Sequence, residues 1–240
     1  MKIIISGYGR MGKTVEQVCL QRGHEVAAIL DSPADWDMKS FPLQDAVVID
    51  FSMPGVAAEN ILRCFRLGLP VVCGTTGWYN LLDQVTKARE KSDGTLFYAP
   101  NFSLGVNILF HVNRMLAGIM ASVDGYRAII SETHHIHKLD APSGTALHLA
   151  RDILHENPKL KAWKNRDDGN PEVLPVLSFR EGEVPGIHEV VYDSPEDRLA
   201  LKHEAKNRTG FALGAVLAAE FIQNKKGVFT MNDYLKTLWG

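Results

Sequence analysis

Apolar residues near the start of the chain come in short unbroken runs, and polar residues close each run. Lys2–Ser6 (KIIIS), Glu25–Leu30, Ala46–Ile49, Val71–Cys73 and Leu96–Tyr98 predict buried strands. Between them, 13–22 and 56–68 carry apolar positions at helical spacing, with Val15, Val18 and Cys19 in the first and Gly23 as its stop. This alternation predicts βαβ units around a parallel sheet. Asp31, Asp50-Phe51-Ser52 and Gly74-Thr75-Thr76-Gly77 follow the runs. They fall on the carboxyl edge, where open α/β sheets bind ligands.

The pattern changes after about Leu104. A long helix is predicted over 106–122, a strand over 126–132 and a helix over 143–155. Strands follow over 173–180, 187–193 and 198–204, then a helix over 210–223 and a short tail. This half reads as a strand-rich region with a mixed sheet. No internal repeat or low-complexity segment interrupts it.

Composition narrows the class. The chain has 240 residues, 45% hydrophobic and 22% charged, with a net charge of −2. These values fit a soluble globular protein with no global attraction to nucleic acid or anionic membranes. The first apolar run is too short for a signal peptide. The stretch 109–123 is broken by His111, Asn113 and Arg114, so no membrane span is expected and the expected location is the cytoplasm. The three cysteines, Cys19, Cys64 and Cys73, show no metal or CxxC spacing and read as buried thiols.

Gly7-Tyr8-Gly9-Arg10-Met11-Gly12 is a G-x-G-x-x-G loop between a predicted strand and a predicted helix, and Asp31 lies 19 residues past Gly12. The pattern alone also fits a plain tight turn. In this setting it reads as a dinucleotide site: glycines allow close approach of a pyrophosphate, the helix start offers N–H groups, and Asp31 can accept ribose hydroxyls. Asp31 would repel a 2′-phosphate, and Ser32, Pro33, Ala34 and Asp35 supply no base. NADH is therefore expected over NADPH.

Glu132–Ala146 reads ETHHIHKLDAPSGTA. A metal site, a solvated loop and an acid–base site are the readings to weigh. His134, His135 and His137 at a strand end would not converge, because strand neighbours point to opposite faces, and no zinc spacing is present; no metal is expected. Surface loops are often polar. The neighbours favour acid–base chemistry: a histidine titrates near neutrality, Lys138 can meet developing negative charge, and Ser143-Gly144-Thr145 opens a helix whose N–H groups suit a carboxylate.

This block resembles the signature of the dihydrodipicolinate reductase (4-hydroxy-tetrahydrodipicolinate reductase) family, Glu-x-His-His-x-x-Lys-x-Asp-x-Pro-Ser-Gly-Thr-Ala. Gly-Arg-Met-Gly after the first strand, Asp50-Phe51-Ser52, Gly74–Gly77, Ala99–Asn107 and Arg208–Ala215 resemble further family blocks in the right order. The resemblance implies a Rossmann-type nucleotide domain (1–104 and 208–240) and an α+β domain with a mixed sheet for substrate binding and oligomerisation (105–207). It implies NADH- or NADPH-dependent reduction of 4-hydroxy-tetrahydrodipicolinate, a dicarboxylate, in lysine and diaminopimelate synthesis, by a homotetramer.

By position, His134 matches the family's general acid/base and Lys138 its proton donor. His135, Ser143, Gly144 and Thr145 match substrate contacts. Gly7, Tyr8, Gly9, Arg10, Met11, Asp31, Gly74, Thr75, Thr76, Ala99, Pro100, Asn101 and Phe102 match cofactor contacts. His188 and His203 receive no role. Trp78, beside the Gly74–Gly77 loop, is the tryptophan to watch for cofactor stacking. The chain is shorter than many members, chiefly between Asp31 and Asp45, where a trimmed surface is expected. The rival readings are another NAD-dependent amino- or keto-acid dehydrogenase and a non-catalytic NAD-binding sensor.

Overall fold

Ile3, Ile4 and Ile5 are all fully buried. Consecutive strand residues face opposite ways, so this strand must be covered on both sides. The computed structural model, which describes residues 1–36 and 45–239, shows how. The chain divides into two compact units, Met1–Leu104 with Arg208–Gly240, and Gly105–Asn207.

In the first unit, β1 (Lys2–Ser6), β2 (Glu25–Leu30), β3 (Ala46–Asp50), β4 (Val71–Cys73) and β5 (Thr95–Tyr98) join a late strand, β11 (Gly227–Phe229). The order is β11-β5-β4-β3-β1-β2, and every pairing is parallel. On one face, Ile3, Ile5 and Val47 pack on α1 (Arg10–Gln21) and α6 (Thr209–Ile222). On the other, Ile4, Val48 and Val71 pack on α2 (Pro54–Arg66), with Val85 of α3 (Leu82–Ser92) in the same cluster. The chain leaves β1 for β2 on one side and returns to β3 on the other, so the topological switch lies between β1 and β3.

The second unit begins with α4 (Leu104–Met120), most of which belongs to it. Its sheet runs β10 (Arg198–Glu204), β9 (Ile187–Asp193), β6 (Arg127–His134), β8 (Val173–Arg180), β7 (Ala162–Lys164). β6 pairs antiparallel with β9 and parallel with β8, which makes the sheet mixed. Alternate residues of β6, Ala128, Ile130, Glu132 and His134, are buried. The first two pack with Leu149 and Ile153 of α5 (Gly144–Glu156). A polar pair thus continues the row that the apolar core begins.

α1 starts at Arg10, directly after extended Gly9, so its first turn belongs to the glycine loop. Several elements differ from the sequence reading. The segment read as a tail after Gln223 holds β11 and α7 (Met231–Trp239). α3 and β7 were not anticipated. Residues 37–44, most of the stretch expected to be trimmed, lie outside the described residues.

Candidate active site

The glycine loop follows β1 at the switch point. Gly7 adopts φ +86°, and a Cβ there would lie 2.6 Å from the carbonyl oxygen of Phe51. A Cβ on Gly12 would lie 2.2 Å from the Gly7 oxygen. Only glycine fits either place. The bare loop, the uncapped start of α1 and a cavity of about 420 Å3 lined by Gly7, Tyr8, Gly9 and Asp31 fit a dinucleotide. The Tyr8 N–H donates to Asp31 Oδ1 at 2.8 Å, leaving Oδ2 for a ribose. Arg10 is exposed and Met11 half-buried.

A carboxylate holds the strand ends in place. Asp50 is fully buried. It accepts from Ser6 Oγ at 2.7 Å, Thr75 Oγ1 at 2.8 Å, Ser52 Oγ at 2.9 Å and Asn60 Nδ2 at 3.0 Å. These donors satisfy the buried carboxyl oxygens and tie β1, β3, α2 and the turn after β4 together.

The same network turns the Thr75 hydroxyl inward, so only its backbone can face a cofactor. Gly74 and Thr76 flank it; Ala99, Pro100, Asn101 and Phe102 follow β5 at the same sheet edge. None of these residues lines the cavity. Phe102 is buried against Phe97 and Phe51, so its ring is core. Trp78 is buried too, and its Nε1 donates to the Thr75 oxygen at 2.9 Å. It braces the loop, and its burial leaves no ring face open for a cofactor. Trp36 and Arg63 line the cavity unforeseen; the guanidinium lies 5.8 Å from the indole centroid.

In the second unit, β6 delivers Glu132 and His134 to the same buried face. Glu132 Oε2 lies 2.6 Å from His134 Nδ1. Glu132 Oε1 accepts from Ser143 N at 3.1 Å and lies 3.3 Å from Arg180 Nη1. Burial alone would raise the Glu132 pKa; the polar groups of His134, Ser143 and Ser178 around it outweigh that and bring the value down to about 2. The carboxylate faces Nδ1, so Nε2 is the ring nitrogen turned away from it.

Gly186 lies against that nitrogen. A Cβ there would sit 3.1 Å from His134 Nε2. His188 crosses His134 with ring centroids 5.0 Å apart, and its Nε2 lies 3.1 Å from Ser143 Oγ. Burial, with the His134 charge second, lowers the His188 pKa to about 3, so this ring is neutral at physiological pH.

Ser143 caps α5: its Oγ accepts from Ala146 N at 3.2 Å. It follows a cis Ala141–Pro142 bond. Exposed Gly144 and half-buried Thr145 form the first turn, whose N–H groups have no intrahelical acceptor. Lys138 Nζ donates to Asp140 Oδ1 at 2.7 Å and Oδ2 at 2.9 Å. That contact, against some burial, lowers the Asp140 pKa. His135 and His137 lie in the loop, their rings 6.0 Å apart. The three loop-region histidines do not form a metal site. Glu132, His134 and His188 do bring ligand atoms within 4.8 Å of one another; Ser143 N and Arg180 contact only Oε1 of the carboxylate.

The sequence reading missed Glu132, Arg180, Gly186 and His188. Their partnership depends on strand register, in which Glu132 stands opposite His188 and His134 opposite Arg180. The one local signal was Glu132 itself, two residues before His134 and hence on the same face.

Two family models divide the chain: dihydrodipicolinate reductase, N-terminus, over residues 1–102, and dihydrodipicolinate reductase, C-terminus, over 105–235. The chain belongs to the dihydrodipicolinate reductase family. A 4-hydroxy-tetrahydrodipicolinate reductase of Christiangramia forsetii is 47% identical, covering 100% of this chain and 99% of its own. Its counterpart in Lawsonia intracellularis is 32% identical over 97% of this chain and 98% of its own. A dipicolinate-bound dihydrodipicolinate reductase from Paenisporosarcina shares the fold, with a TM-score of 0.76 at 22% identity over 96% of this chain and 97% of that one. Family membership makes the chain an NAD(P)H-dependent reductase. Among the described residues, no helix is long and apolar enough to cross a membrane.

Proposed function

We propose that this reductase converts 4-hydroxy-tetrahydrodipicolinate to tetrahydrodipicolinate in lysine and diaminopimelate synthesis. The observation that carries it is the Glu132–His134 pair joined through Ser143 to a helix start: an acid–base group bonded to the turn that offers N–H groups to a carboxylate. The unit Met1–Leu104 with Arg208–Gly240 binds the dinucleotide, and Gly105–Asn207 binds the dicarboxylate. The reduced nicotinamide, when bound, supplies hydride.

The chain's own residues do the rest. Gly144 and Thr145 N–H groups hold one substrate carboxylate, with His135 alongside. Loss of the substrate's 4-hydroxyl as water leaves an unsaturated ring. Hydride at C4 then pushes an electron pair onto the ring, which takes a proton from Lys138 or His134. Glu132 holds the His134 ring in place as the proton moves.

NADH is the expected cofactor, because Asp31 carries negative charge where a 2′-phosphate would lie and no base follows it. Arg63 on the same cavity favours a second reading in which NADPH is also accepted. The sheet of Gly105–Asn207 supports assembly into a homotetramer: its uncovered face carries Ile129, Leu177 and half-exposed Phe179, and sedimentation of Phe179→Asp as a smaller species checks it.

The test of activity is absorbance at 340 nm with substrate made fresh from aspartate semialdehyde and pyruvate by the preceding synthase, with each cofactor in turn. Rapid oxidation, faster with NADH, is expected. Folded protein that binds NADH and dipicolinate without turnover would overturn the reaction.

A further inference from the structure

Arg180 ends β8 directly opposite His134, and its guanidinium meets both arms of the candidate site. Nε donates to the carbonyl oxygen of Lys138 at 3.2 Å, and Nη2 to that of Asp140 at 2.5 Å. Nη1 donates to the Phe179 oxygen at 2.6 Å. Nη1 and Nη2 reach Glu132 Oε1 at 3.3 and 3.4 Å. A guanidinium has five N–H groups in a rigid plane, and these contacts use them all. None is left for a substrate, so Arg180 is not a ligand.

We propose that Arg180 is a positioning residue that braces the Lys138–Asp140 backbone to the Glu132–His134 pair. The inference rests on the reductase reading above, in which Lys138 and His134 handle the proton. The two groups come from different elements: His134 from the end of β6, Lys138 from the loop beyond it, where Ile136, His137, Leu139 and Asp140 are exposed. Such a loop has little packing of its own to fix it. Lys138 also spends its ammonium on Asp140, so the backbone that carries both needs an outside anchor. The Arg180 fork supplies it, and the same fork touches the carboxylate that orients His134. Displacing a proton donor by about 1 Å typically costs about 10²-fold in rate.

The experiment is a double-mutant cycle on the full chain. Arg180→Gln should lower kcat about 10- to 100-fold, with the NADH KM within about twofold. On a Lys138→Ala background the same change should cost less than about threefold, because the donor it positions is already gone. Full additivity of the two losses, or an Arg180→Gln enzyme with wild-type kcat, would overturn the proposal. If Arg180→Gln does not fold, Arg180→Lys keeps the charge but cannot span carbonyls and carboxylate together. It should fold and show the same non-additive loss, and wild-type kcat there would equally overturn it. If the wild-type protein binds dipicolinate without turnover, the reaction fails and the brace is read from calorimetry: affinity for dipicolinate lowered at least about tenfold in Arg180→Gln supports it, and unchanged affinity overturns it.

Discussion

Replacing Glu132 by Gln tests the site through two independent readouts. The carboxyl is fully buried, and its pKa is lowered from 4.5 to about 2. Between these values the folded chain holds fewer protons than the unfolded one. The ionised carboxylate therefore adds stability above pH ~4.5, and this is lost as pH falls towards 2. At about 1.4 kcal/mol per pH unit, the contribution at neutrality is on the order of 3 kcal/mol. Glutamine keeps the shape and an acceptor for Ser143 N but offers no charge to His134 or Arg180. Urea unfolding of wild type and Glu132→Gln should differ by about 3 kcal/mol at pH 7 and by about half that near pH 3. In the 340 nm assay kcat should fall by about 10²-fold or more, since the imidazole loses the group that orients it. A stability gap of equal size at pH 7 and pH 3 would refute the electrostatic account. A wild-type kcat would refute the dyad.

Lys138→Ala and His134→Gln should each lower kcat by about 10²–10⁴, whereas Thr145→Ala should mainly raise the substrate KM; steady-state kinetics separates the two, and near wild-type kcat in both of the first variants would remove them from the mechanism. Gly7→Ala places a methyl 2.6 Å from the Phe51 oxygen and should weaken NADH binding at least about tenfold by fluorescence titration, while the isolated affinity for dipicolinate is kept. Burial pushes the Cys19 thiol up to about 12 and the Cys64 and Cys73 thiols up as well, so Ellman's reagent should find no reactive thiol in the native protein and all three in urea.

Local chemistry made much of this molecule legible. β1, β3 and β4 are continuous apolar runs because a doubly covered parallel sheet buries every residue. The helix beginning after Ser143 follows from a hydroxyl cap. What stayed hidden was either too short, too polar or too distant. α3 buries only Val85, so its stripe is faint. β7 and β11 have three residues each and become strands only because β8 and β5 are there to pair with. Thr75 and Phe102 sit in cofactor-like sequence blocks, yet the buried Asp50 claims one side chain and the aromatic core the other. Arg180 and His188 lie 46 and 54 residues past His134, and no spacing rule joins them; strand register does.

The nucleotide unit is completed by the last stretch of the chain. α6 buries Ala212, Ala215, Val216 and Ala219 on the face of Ile3 and Ile5, Gly214 packs on the Phe102 carbonyl so closely that a Cβ would meet it at 1.8 Å, and β11 extends the sheet beside β5. On the ribosome this order has a cost. The contiguous unit Gly105–Asn207 emerges entire and can fold at once, while the first hundred residues wait with one side of their sheet covered by α1 but not yet by α6. The nascent enzyme thus passes through a stage with its middle finished and its beginning sticky. Chaperone dependence should concentrate in the interval before residue 222 clears the exit tunnel.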